Sequence, residues 1–258
     1  MSVAKANSSP LTLGGPTNPV HRPWPAPARS WFMRMVWHDL LFMHWRMPVE
    51  EMRASLPPGI ELDTFEGEAW IGIVPFRMSG VAPRFVPNLP WLSSFPELNV
   101  RTYVKVDGKP GVWFYSLDAT NPIAVRGARR LFHLNYLDAN IKSSKSKGWI
   151  RYTSRRTHTN EPAAVLDLEY RAIGDSFLAQ PGTLLDWLTS RYCLYVTAPK
   201  SSILRGEIDH PPWSLSDGQA IVHSNTMLNG LGLELPADEP LIHFAHKTSV
   251  VAWKNQPV

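Results

Sequence analysis

The chain has a single cysteine, Cys193, in 258 residues. That excludes an internal disulfide and any metal site built from several thiolates, and it fits a reducing compartment. Its neighbours Tyr192, Leu194, Tyr195 and Val196 mark Cys193 as a buried strand residue rather than a nucleophile. No apolar run approaches the ~20 residues that span a bilayer, and the first residues lack the apolar core of a signal peptide. A cytoplasmic protein without a membrane partner is expected. Charge of one sign is also scarce. The net charge is +4 and its positive residues are scattered, with no module signature beside them, so no nucleic-acid partner is expected. A Gly-rich phosphate loop, a G-x-S-x-G elbow and an H-E-x-x-H pair are all missing, which leaves no cofactor to expect.

Histidine is present nine times, yet never at ligand spacing. His38 and His44 are six residues apart, on one side of a strand but roughly 20 Å from each other. His243 and His246 are three apart and face opposite sides. No metal site is expected. What is abundant is proline, 24 residues, and tryptophan, 11. Proline at that density cuts helices short, so a fold of many short strands and long loops is favoured. Residues 1–28, rich in Ser, Pro, Gly, Ala and Asn, read as a flexible arm. Residues 29–258 show no repeat and no linker, and read as one β-rich domain. The sequence carries no signal for oligomeric state.

The most informative stretch is 96–136. Leu98, Val100, Thr102, Val104 and Val106 share one face at period two, and Glu97, Asn99, Arg101 and Lys105 share the other. The segment 107–111 is turn chemistry, and Val112 to Leu117 is the return strand. Thr120 or Asn121 can cap a helix with Pro122 at its first position. That helix, Ile123 to Leu131, carries Arg126, Arg129 and Arg130 and delivers His133, Asn135 and Tyr136. A polar strand face opposite a helix end rich in Arg and His reads as a pocket. Glu97 is expected to pair with an arginine inside the fold.

Elsewhere, Trp31 to Arg46 reads as a long buried strand and 48–56 as a short helix stopped by Pro57-Pro58-Gly59. Ile60 to Thr64 and Ala69 to Met78 read as a hairpin around Glu66-Gly67. Residues 79–96 read as a Pro-rich loop whose aromatics Phe85, Trp91 and Phe95 cover the pocket mouth. Lys142, Lys145 and Lys147, set among serines, read as an exposed turn. Further strands are expected at 149–158, 164–172, 191–197, 202–208, 220–225, 241–246 and 249–254, with a helix capped by Thr183. Asp39 and Asp118 sit among apolar residues, and each is expected to satisfy backbone donors or an arginine.

Several phrases resemble the DUF2071 (YqjF-like) family: W-H-D-L-L-F-M-H-W at 37–45, L-P-P-G-I-E-L-D-T-F-E-G-E-A-W at 56–70, E-L-N-V-R-T-Y-V at 97–104, G-V-W-F-Y-S-L-D-A at 111–119, A-R-R-L-F-H-L-N-Y at 128–136, R-Y-C-L-Y at 191–195 and H-P-P-W at 210–213. The family resembles, more distantly, the acetoacetate decarboxylase superfamily. That resemblance implies an α+β fold, mostly antiparallel β: a curved sheet or cone around a central pocket with a few peripheral helices. It implies roles for Arg46, which follows Trp45 just before a helix, and for Glu97, which opens a pocket strand. The decarboxylases carry their imine-forming lysine in a phrase of the form G-R-E-x-x-G-[FY]-P-K-K. Here Arg129 matches, Arg130 stands at the acid, Asn135 at the proline, and Tyr136 and Leu137 at the two lysines. A phenol forms no imine with a ketone, and Lys105 is the lysine on the neighbouring strand that could reach the pocket.

Two functions follow. One is a small-molecule pocket for an organic acid or carbonyl compound. In it Glu97 and Tyr136 are candidate catalytic groups acting on protons, and Arg46, Arg101, Arg129 and His133 are candidate binding groups. The other is a binding or structural protein without turnover, in which Glu97 and the arginines form internal ion pairs. A lyase or decarboxylase using another lysine is a third, lesser reading.

Overall fold

The computed structural model of the protein describes residues 21–89, 92–199 and 202–258. In chain order the elements are β1 (Met33–Met47), α1 (Val49–Ala54), β2 (Glu61–Leu62), β3 (Ala69–Pro83), β4 (Phe95–Val106), β5 (Lys109–Ala119), α2 (Pro122–Phe132) and β6 (Tyr136–Ser146). These are followed by β7 (Trp149–Arg156), β8 (Val165–Phe177), α3 (Leu184–Thr189), β9 (Cys193–Ala198), β10 (Ser202–Asp209), β11 (Leu215–Asn225), β12 (Leu241–Ala252) and β13 (Gln256–Pro257). No described helix is long and apolar enough to cross a membrane.

All the strands join one mixed sheet that closes on itself twice. The run β12-β1-β3-β4-β5 is common to both closures. At one end it is completed by β6-β7-β8-β11, and at the other by β9 and β10, which return to β12 at Ile208–Ala252 and Asp209–Val251. Strand β5 serves both, pairing with β6 at Leu117 to Ala119 and with β9 at Val112 and Trp113. The shared strands are therefore covered on both faces, and their alternation is apolar on each.

One face of the shared strands is filled. Leu41, Met43 and Trp45 of β1, Ile71 and Ile73 of β3, and Leu98 and Val100 of β4 pack there against Tyr152, Leu166, Leu168 and Tyr170. The other face carries Leu40, Phe42, Val74, Phe76 and Phe95 beside a hollow. Two irregularities keep side chains on the right faces. Strand β1 gains one residue on β3 between His38 and Met43, with Asp39 at φ +52°. Strand β5 gains Tyr115 on β4, since Val100 pairs with Ser116 and Arg101 with Phe114. A one-residue shift exchanges the two faces of a strand. So Met35 and Trp37 share the hollow with Leu40 and Phe42, and His38 and His44 lie on opposite faces, not on the same one.

Several expectations are corrected. Strand β2 pairs with β4, not β3, so there is no 60–78 hairpin; Phe65 and Glu68 make only an isolated bridge. The Lys142 to Ser146 segment is strand, the outer half of β6, and the turn falls at Lys147-Gly148. Residues 241–246 and 249–254 are one strand, β12, through Ala252. Strand β3 runs to Pro83, and Phe85 beyond it is 88% exposed rather than packed as a cover; Trp91 lies outside the described residues. Residues 1–20 of the N-terminal arm also lie outside them. Residues 21–28 are not loose: buried Arg22 bonds Glu207 Oε2 at 2.9 Å and Asp209 Oδ1 at 3.0 Å, and Trp24 Nε1 donates to Glu207 at 2.8 Å.

Candidate functional site

The hollow is a cavity of about 400 Å³. The outer ends of β1, β3, β4 and β5 form one wall, β10, His210 and Trp213 another, and α2 the third. Helix α2 starts where the sequence puts it: Asn121 Oδ1 accepts from the amides of Ile123 and Ala124, both at 3.1 Å, with Pro122 next. It lines the cavity with the small residues Ala124, Gly127 and Ala128 and the large ones Ile123, Leu131 and Phe132.

Glu97 lines the cavity and is 3% exposed. Its partner is Tyr136, whose Oη donates to Glu97 Oε2 at 2.7 Å. No arginine or lysine lies within ion-pair distance among the described residues, so the expected Glu97–arginine pair is absent. Burial raises the Glu97 pKa from 4.5 to about 8, against the opposing Tyr136 bond and with help from the Asp118 charge. At neutral pH Glu97 is therefore mostly a neutral acid with an O–H to donate. Burial and the neighbouring Glu97 push the Tyr136 phenol well above its ordinary value, so it stays a donor.

Farther along the same strand face stand Asn99 and Arg101, which are 6% and 9% exposed. Arg101 Nη2 donates to Leu188 O at 3.2 Å and to Tyr103 Oη at 3.4 Å. The Tyr103 hydroxyl is itself committed to Leu188 O at 2.9 Å, so His44 Nε2, 2.7 Å away, donates to it. Burial, and then the Arg101 charge, hold His44 well below its usual pKa, and it is neutral. Gly72 makes this crowding possible: a Cβ there would stand 3.0 Å from His44 and 3.4 Å from Arg101. Arg191 enters from the end of α3, its Nη1 on Asp63 Oδ2 at 2.7 Å and its Nε on Trp187 O at 2.7 Å. Four residues of the cavity wall each have a buried polar atom with no partner in the protein: Trp37 Nε1, Asn99 Oδ1, Arg101 Nε and Arg191 Nη2.

The structure brings Glu97, Tyr136 and Arg101 to one cavity and leaves the other candidates outside. Arg46 is exposed, 3.8 Å from Glu68 and stacked over Trp70; it shares the face of Phe42 and His44 but lies at the end of β1, beyond the residues that line the cavity. Arg129 is exposed and donates to Tyr136 O at 2.7 Å, fastening the last turn of α2 to the start of β6. His133 ends α2 in the left-handed region at φ +54°, which turns its side chain to the surface. Lys105 pairs with Glu61 at 3.1 Å at a separate, open cleft. No lysine is among the described residues lining the cavity. Reading the sequence alone missed Arg191, Trp37 and Asn99 as cavity groups. Asn99 had a signal, its period-two register with Glu97 and Arg101; Arg191 had only its place before an apolar strand.

Comparison with known proteins agrees with this architecture. The model of the DUF2071 family, described as an uncharacterized conserved protein, matches residues 34–249. This chain belongs to the DUF2071 family. The uncharacterized protein YqjF of Bacillus subtilis (strain 168) is 42% identical to this DUF2071 chain over 227 residues, 88% of this chain and 93% of that one. Among solved structures, the enduracididine biosynthesis enzyme MppR complexed with pyruvate overlays this DUF2071 chain with a TM-score of 0.61 at 11% identity, covering 88% of this chain and 90% of MppR. An acetoacetate decarboxylase from Legionella pneumophila overlays with a TM-score of 0.58 at 12% identity, covering 99% and 98%. At those identities the likeness is one of fold.

Proposed function

We propose that this DUF2071 protein binds a small organic acid or carbonyl compound in the cavity lined by Glu97, Tyr136 and Arg101, without a covalent imine. The observation that carries this is that four residues lining one apolar-walled cavity each hold a buried, unpartnered polar atom. Buried polar groups are ordinarily satisfied, and a polar ligand is what would satisfy these. MppR, of the same fold, was solved with pyruvate, which supports a carboxylate or carbonyl ligand here. Neutral Glu97 would donate its proton to a ligand oxygen, while the Tyr136 hydroxyl holds the other carboxyl oxygen and fixes the direction of that donation. A carbonyl polarised in this way is open to enolisation or addition by a second reactant. Binding without turnover is the second reading, favoured by the absence of a described nucleophile on the cavity wall.

The test is titration with short keto acids, followed by borohydride trapping and intact mass measurement. Saturable binding without a reduced adduct is expected. A borohydride-dependent adduct on any lysine would overturn the non-imine reading, and no binding of any acid or carbonyl compound would leave the structural role of the Glu97–Tyr136 contact.

A further inference from the structure

We infer that the ligand is a monocarboxylic acid with an extended apolar body, its carboxylate held between Arg101 and Arg191 and a carbonyl or hydroxyl oxygen farther along the body at the Glu97–Tyr136 pair. The inference rests on the pocket reading above and says which molecules the pocket selects.

Two guanidinium groups approach one ring: Arg101 is 5.7 Å and Arg191 4.9 Å from the centroid of Tyr103. Both residues are more than nine-tenths buried, at 9% and 5% exposure. Arg191 has a carboxylate, Asp63, at 2.7 Å. Arg101 has none within ion-pair distance among the described residues; its bonds go to a carbonyl and a phenol. A guanidinium does not shed its proton, and a buried charge without a partner is strongly unfavourable. The end of the cavity thus lacks one negative charge. Its free atoms are of matching kind: Trp37 Nε1, Arg101 Nε and Arg191 Nη2 are three donors, against one unpartnered acceptor, Asn99 Oδ1. A carboxylate accepts from two guanidinium groups in the geometry they favour. A single missing charge among apolar walls selects a monoanion over a dianion.

Length follows from the strand. Glu97 and Arg101 are four residues apart on β4, a span of ~13 Å at the usual rise. The Arg101 guanidinium lies between Phe42 and Tyr103, 5.4 and 5.7 Å from their ring centroids. Phe42, Phe76, Phe114 and Leu117 wall the cavity along with them. A two- or three-carbon acid can touch one end only, whereas a medium-chain acid buries its body against these side chains and meets both ends.

Calorimetric titration of the full chain with butanoate, octanoate and octanamide tests this. Octanoate is expected to bind at least about tenfold more tightly than either of the other two. Arg101→Gln is expected to weaken octanoate more than octanamide and so remove the preference for octanoate, and Arg101→Lys, which keeps the charge, to retain part of it. Thermal melts of each variant establish folding. Equal binding of octanoate and octanamide, or an unaltered preference in folded Arg101→Gln, overturns the inference and leaves the pocket reading standing. Tighter binding of butanoate than octanoate overturns the extended body. If neither these three nor any keto acid binds, the pocket reading fails along with it.

Discussion

Two buried arginines, one on each side of the same sheet, differ in what surrounds them. On the filled side Arg156 is 7% exposed, and its Nε and Nη2 reach Asp118 at 3.1 to 3.3 Å while Nη2 also donates to Ser116 at 2.9 Å. On the hollow side Arg101 is 9% exposed and faces no carboxylate. Burial is nearly equal, so burial does not mark a site. On the filled side the one deeply buried acid and base meet as a pair. The hollow side leaves a cation, an amide oxygen and an indole N–H unanswered. The same contrast holds for carboxyl groups: Asp118 has a guanidinium, and Glu97 keeps a proton instead.

Substitutions can break or sharpen this contrast. The largest effect is expected from Asp118→Ala, which leaves Arg156 buried without its partner. It should lower stability by about 3 to 5 kcal/mol in a denaturant titration, whereas Arg101→Gln, which removes a cation already unpaired, should not lower stability comparably. Similar losses would erase the distinction between the two sides. Next is Leu98→Ala on the filled face, expected to cost about 3 kcal/mol; the same truncation at Leu117, which already borders empty space, should cost about half as much, because little new void is made. Third, Gly72→Ala forces His44 or Arg101 to move. A loss of about 1 to 3 kcal/mol is expected, together with weakened anion binding, and unchanged melting would show that the pair has room to shift.

Glu97→Gln is expected to be the smallest at acidic pH, below about 1 kcal/mol, since Gln resembles the neutral acid and still accepts from Tyr136. Its signature is in pH dependence. The folded chain holds the Glu97 proton more tightly than the unfolded chain, with a pKa raised from 4.5 to about 8. That stabilisation is whole below pH 4.5, shrinks as pH rises, and is lost as pH passes through about 8. Melting temperature measured across this range should therefore decline more steeply in the parent than in Glu97→Gln; parallel curves would mean that Glu97 is charged in the fold.

Much of this could be read in advance along β4, β5 and α2. Period-two alternation placed Glu97, Asn99 and Arg101 on a polar face, and Asn121, Pro122 and Thr183 marked helix starts, because such signals act within a few residues. The two register shifts were not legible. Asp39 and Tyr115 look like ordinary members of apolar strands, and their extra-residue roles appear only against β3 and β4. Arg46 was a pocket candidate by resemblance, and its place at the end of β1 leaves it exposed beside Glu68, beyond the cavity.

By itself, the sequence determined local matters: a β-rich chain with few and short helices, the strand–turn–strand at 96–117, the capped helix behind it, and an acid and a base on one strand face. Local propensity and alternation suffice for these because they involve neighbours along the chain. Tertiary structure decided which face would be filled and which left hollow. Closing the shared strands with β6-β7-β8-β11 at one end and β9-β10 at the other set Arg156 against Asp118, and it brought Arg191 of a distant segment beside Arg101 with a single carboxylate between them. Whether a buried charge finds a partner depends on contacts 38 residues away in sequence for Arg156 and 128 for Arg191, and no local pattern encodes them.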